Sequence, residues 1–291
     1  MEKSLHPCAP LYRRLTIAVA LCTLAGGVFL LLSYLFAFDA DIHYFVAASP
    51  LWILARAFFA AGVLCVLAGM LVLRKKASFA AELPTGAAEV FFGYFAAVLL
   101  AICFMREVGL LTAVEEMSTL GQAAAYTSVL PPLYFLVSNL SKQNSISNAF
   151  FAFGAIIAVV LSMFRDYFDL SLPLNGSVRI LTTVAQASLL LFFLSEARLH
   201  ISPERATLPA FYLANGSAGL FLIGTGIAQG IFAFVDTNRT FDVLPQAAMA
   251  AVGALAFCRI CRAYRCLAPY KPVEEDKPAK KSPKTPSAPE A

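Results

Sequence analysis

Eight stretches of about twenty apolar residues run through this 291-residue chain, and Lys and Arg gather in every second gap between them. A hydrocarbon core about 30 Å thick is crossed by about 20 helical residues rising 1.5 Å each. The stretches therefore have the length of membrane spans. Within lipid a backbone must satisfy its own hydrogen bonds, which leaves helices as the spanning form for apolar runs of this kind. The pattern predicts an all-α fold, a polytopic transmembrane bundle of about eight spans. They fall at residues 15–38, 50–73, 87–105, 121–140, 149–164, 178–194, 209–235 and 243–258. The fifth and sixth are short for a span, and the seventh is long enough to tilt.

Only 14% of residues are charged and 59% are hydrophobic, where a soluble domain carries about a quarter charged. Few residues lie outside the spans, so no soluble domain fits. The first span is too long for a signal-peptide core and no Ala-x-Ala site follows it. The chain divides into a cytoplasmic segment (1–14), a transmembrane domain (15–268) and a Lys/Pro-rich tail (269–291). The tail's composition cannot bury enough surface to fold, so it is expected to be disordered.

Orientation follows from the basic residues. With both termini cytoplasmic, 17 of the 22 Lys and Arg fall on the inner side, Arg106, Arg165, Arg179 and Arg239 fall on the outer side, and Arg56 lies within a span. This is a strong positive-inside bias, and it also favours an even number of spans. The net charge of +4 is then a membrane-border feature, with membrane lipids as the first partner. The basic tail suits anionic headgroups or a protein contact, and nucleic acid is not expected.

The chain lacks His-Glu-x-x-His, Gly-x-Ser-x-Gly, P-loop and EF-hand spacing, so an enzyme is the least supported class and no cofactor is implied. Cys258-x-x-Cys261 with Cys266 would need a fourth ligand for zinc, for which only Cys8, His6 or His200 is at hand, and Arg259, Arg262 and Arg265 are interleaved with the thiols. These thiols are read as small apolar residues at a helix end, and no metal site is expected. No pair of acidic residues falls in the membrane middle. Glu89 sits at the start of the third span, where a helix N-terminus tolerates negative charge.

The candidates for a binding role are polar residues at membrane depth. Arg56 lies six residues into the second span. It could snorkel outward, or face the interior and pair with Glu107, Asp166 or Asp169. Arg179, Thr182, Thr183 and Gln186 recur at helical spacing on one face, which suits interhelical hydrogen bonding or a polar cavity wall. Pro131-Pro132 falls near the centre of the fourth span and should kink or break it. Broken helices at that depth line a cavity or are buried in protein. Gly226-x-x-x-Gly230 matches the close-packing motif of membrane helices.

The stretch Arg165-Asp-Tyr-Phe-Asp-Leu-Ser-Leu-Pro-Leu-Asn-Gly-Ser-Val-Arg-Ile-Leu, continuing through Gln186 to Phe192-Phe-Leu-Ser-Glu-Ala-Arg198, resembles a segment of uncharacterised polytopic membrane proteins of Gram-positive anaerobes. The resemblance implies a bacterial cytoplasmic membrane and no known activity. It carries over no functional residue. Two functions remain open. One is a permease or channel-like pathway for a small polar or anionic solute, with Arg56, the 179–186 stripe and the Pro131-Pro132 break meeting at one cavity. The other is a non-catalytic membrane sensor or scaffold whose polar groups only pack helices.

Overall fold

The computed structural model describes residues 9–39, 44–73, 86–111, 118–140, 145–168, 176–201, 208–236 and 241–263. The tail after residue 263, and with it Cys266, lies outside them. The helices are α1 (Ala9–Ala37), α2 (Pro50–Leu73), α3 (Ala87–Glu107), α4 (Thr119–Thr127), α5 (Leu130–Leu140), α6 (Ile146–Phe168), α7 (Ser177–Ile201), α8 (Leu208–Val235) and α9 (Val243–Ala263). Between α1 and α2, strands β1 (Phe38–Asp39) and β2 (Tyr44–Phe45) pair antiparallel, Phe38 opposite Phe45.

Among the described residues, seven helices are long and apolar enough to cross a membrane. The eighth crossing is shared by α4 and α5, so the chain is an all-α polytopic bundle. The fifth and sixth spans are longer than their apolar cores suggest, at 23 residues for α6 and 25 for α7. Both helices run on into polar residues at their ends, and these are the residues that pair with neighbouring helices.

Contacts between helix ends show that the crossings alternate. The Tyr12 hydroxyl at the start of α1 donates to the Ile260 carbonyl at the end of α9 at 2.8 Å. Glu89 at the start of α3 meets Arg262 at the end of α9 at 3.4 Å. At the other end Arg106 of α3 pairs with Asp242, just before α9, at 2.5 Å. The end holding the starts of α1 and α3 is called the basic end below, after its Lys- and Arg-rich connections. The other is the distal end.

The large hydrophobic side chains that point outward, such as Leu21, Leu24, Leu64, Phe91 and Phe150, are too many for a water-facing surface and suit contact with lipid. Helix α8 is the exception. It packs against α1, α2, α7 and α9, and 61% of its apolar window is buried, against 28–39% for the others. Its glycines permit this. A Cβ on Gly226 would come within 2.7 Å of the Gln246 carbonyl in α9, and one on Gly224 within 2.7 Å of the Phe59 ring. Gly230 also faces α9, with Gln246 Cβ at 3.5 Å from its position. Without a hydrophobic drive between helices in lipid, such close contact is what holds them together.

Buried threonine hydroxyls bond back to their own helices. Thr16 donates to Tyr12 O at 3.0 Å, Thr23 to Val19 O at 2.8 Å and Thr225 to Phe221 O at 2.6 Å. This back-bonding is the cheapest way to carry a hydroxyl through hydrocarbon.

The break in the fourth crossing comes at Ser128-Val129, before the two prolines. Pro131 and Pro132 lie in the first turn of α5, where the missing N–H has no helical acceptor to lose. Carbonyls near the end of α4 also accept from side chains: Thr127 Oγ1 donates to Ala123 O at 2.8 Å and Ser128 Oγ to Ala125 O at 2.7 Å.

Candidate functional site

The break opens onto a cavity of about 290 Å³ bounded by residues of α3 to α9. Its mouth lies at the distal end, where Glu107, Arg165 and Asp166 are about a third exposed, at 34–35%. Its floor is apolar: Pro131 of α5, Leu189 of α7 and Met249 of α9. Leu189 lies twelve residues into α7, so the cavity reaches about 18 Å along that helix, near the middle of the membrane.

One guanidinium organises the mouth. Arg165, in the last turn of α6, pairs with Glu107 at 3.2 Å and with Asp166 through its Nε at 3.1 Å. It also reaches the Ser162 hydroxyl at 3.4 Å. Gln186 of α7 donates to the second Asp166 oxygen at 2.5 Å. Asp166 is thus gripped from two helices, while Glu107 brings α3 into the same network. The wall also carries Ser128, Thr182, Gln229 and Gln246. Gln229 donates to the Tyr34 hydroxyl at 2.9 Å. The Gln246 Oε1 is buried without a donor, so the wall offers an unused acceptor.

The residues expected from the sequence divide three ways. Glu107, Asp166, Thr182, Gln186 and Pro131 line the cavity. Arg179 is buried but closes a different contact: it donates to the Asp166 carbonyl at 2.6 Å and to the Tyr167 carbonyl. A cation placed over the last carbonyls of α6 satisfies groups that the helix end leaves open. Arg179 therefore ties α6 to α7 behind the cavity rather than lining it. Thr183 is exposed, its hydroxyl donating back to Arg179 O at 2.8 Å, so the fourth member of the stripe turns toward lipid.

Arg56 does not join the cavity. It is exposed on α2, with its guanidinium 5.4 Å from the centre of the Trp52 ring, and the expected convergence of Arg56 with the other residues does not occur. Snorkelling along an aromatic face is the cheaper arrangement at this depth. Asp169 lies outside the described residues. Gly226 and Gly230 serve α8–α9 packing and floor a separate apolar groove that faces lipid. Pro132 is buried beside Pro131. Cys258 is half-buried and Cys261 exposed.

Sequence reasoning missed Arg165 as the organiser and Ser162 beside it. A signal was present: Ser162, Arg165 and Asp166 are spaced at three and four residues, one helical face. It also missed a second charged group at the basic end. Glu196, 1% exposed, pairs with Arg259, and the Tyr134 hydroxyl donates to the same carboxylate. Glu196 lies beyond the apolar run 178–194, and only the longer α7 brings it inside the bundle.

Comparison with family models, with functionally described proteins and with solved structures finds no match.

Proposed function

We propose that this integral membrane protein provides a pathway for a small polar solute, entered from the distal end. The observation that supports the reading is the cavity: polar side chains line its distal part, and it reaches mid-membrane depth beside a broken helix, where irregular backbone is tolerated in a wet site. Its volume suits a molecule of amino-acid size and lies near the lower limit of ligand pockets, about 300 Å³. Charge narrows the class. With Arg56 facing outward, Arg165 is the one cation among the described residues that line the cavity, against two carboxylates, Glu107 and Asp166. A simple anion would meet both of these. A zwitterion can give its ammonium to the carboxylates and its anionic group to Arg165, and we favour it over an anion. The resemblance of residues 165–198 to bacterial membrane proteins supports a bacterial plasma membrane as the location.

The scaffold reading is favoured by one feature, the mutual pairing of Glu107, Arg165 and Asp166, which needs no ligand. Thermal unfolding of purified protein with zwitterionic amino acids, sugars, monoamines and small carboxylates separates the two. A bound solute at a hundred times its Kd stabilises by about 2.7 kcal/mol. The expected result is stabilisation by a zwitterion that disappears in Glu107→Gln and in Arg165→Gln. A flat response across the panel would leave the polar groups as helix glue.

A further inference from the structure

Beneath the cavity floor, the helices that form it pass through the same succession of layers toward the basic end. On α7, Leu189 at the floor is followed by Phe192 and Phe193, then by Glu196. On α9, Met249 is followed by Val252 and Leu255, then by Arg259. On α5, Pro131 is followed by Tyr134 and Phe135. The middle layer is closed: Phe135, Phe192 and Phe193 are each at most 1% exposed, and their rings pack in one cluster with Tyr134. The last layer is charged. The Arg259 guanidinium pairs with Glu196 and lies 5.7 Å from the centre of the Phe192 ring. Tyr134 donates to Glu196, with His200 Nε2 3.3 Å from its hydroxyl. One turn further out on α9, Arg262 meets Glu89 of α3.

A buried ion pair is a poor choice if the only purpose is to hold helices together. Its desolvation cost cancels most of its Coulomb gain, and apolar residues of similar volume do as well or better. Its distinctive property is that both partners regain hydration when they part, so it separates at lower cost than an apolar contact that must expose its surface. The third member, Tyr134, belongs to the element best placed to move. Helix α5 has eleven residues, packs chiefly on α3 and α6, and begins at the Ser128-Val129 break.

We propose that Tyr134, Glu196 and Arg259 form a latch that closes the cavity at the basic end, and that α5 swings on the break when the latch releases. The structure is then the distal-open, basic-closed state of an alternating pathway. This rests on the pathway reading above and adds to it which residues hold the inner side shut.

Cys103 lines the cavity and reports access without knowledge of the solute. With Cys8, Cys22, Cys65, Cys258, Cys261 and Cys266 replaced by Ser, a membrane-impermeant maleimide is applied to right-side-out and inside-out vesicles. In the otherwise native background Cys103 is labelled from the distal side alone. In Glu196→Gln, labelling from the basic side rises on the order of tenfold, the shift that about 1.4 kcal/mol of lost latch energy gives. Arg259→Lys keeps the pair and stays closed. Should Glu196→Gln not fold, Tyr134→Phe and the double change Glu196→Gln/Arg259→Gln, which strands no charge, decide by the same measure. One-sided labelling in folded latch variants overturns the latch and leaves the pathway standing. Absence of labelling from either side in the native background overturns the pathway itself.

Discussion

Glu196 and Arg259 are each other's solvent, and their truncation should show it. Glu196→Ala strands the Arg259 guanidinium among buried rings. The expected loss is about 3–5 kcal/mol, measured as a fall in unfolding temperature in detergent. Pairing it with Arg259→Ala should recover part of that loss, because the stranded charge goes too. Arg56 makes the opposite case. It lies exposed over Trp52, so Arg56→Ala should cost only about 0.5–1 kcal/mol of cation–π attraction. It should also leave any solute-induced thermal shift unchanged; loss of that shift would put Arg56 back in the site. The depth of Arg56 was legible in the sequence, but its direction was not. Both faces of α2 are apolar, one toward protein and one toward lipid, so no hydrophobic stripe marks the inward side.

The same loss of contrast explains what was and was not legible among the elements. Span positions were readable because hydrocarbon thickness sets a length, and α2 runs over Pro50–Leu73 as the apolar run does. Helix ends were less readable where polar residues continue the helix. Glu196 falls beyond the apolar run 178–194 for that reason, and Arg165 falls just beyond the run 149–164. Where backbone approach decides packing, glycine remains a usable signal. Gly226→Leu would drive a side chain into the α9 backbone at Gln246 and Ala250. An insertion of this kind costs about 1–3 kcal/mol or more, visible as a lower unfolding temperature, whereas Leu at the exposed Ala60 of α2 should be tolerated. At the α4–α5 break, Pro131→Ala/Pro132→Ala restores two backbone donors. Amide exchange across residues 128–133 should slow in that variant if the prolines keep the turn open.

At the scale of the molecule, alternation of the crossings places the exposed Leu111 and Val235 at one end of the bundle, and the exposed Leu140 and Ile201 at the other. Single cysteines at the first pair should react with impermeant reagents only in vesicles of one orientation, and those at the second pair only in the opposite one. The halves of the bundle also differ. Around Tyr34, the rings of Phe38, Phe45, Phe232 and Phe241 bind α1, the β1–β2 turn and α8 together. The cavity and the broken crossing lie mainly among α3 to α7 and α9. Water standing in that cavity would carry the distal solution to Leu189, leaving six residues of α7, about 10 Å of rise, between it and Glu196. A membrane potential of 100 mV is worth about 2.3 kcal/mol per elementary charge moved through it. Compressed into that thin septum, the electric field would pull hardest on the carboxylate and guanidinium at its inner edge, so a cell's voltage would bear directly on these two charges.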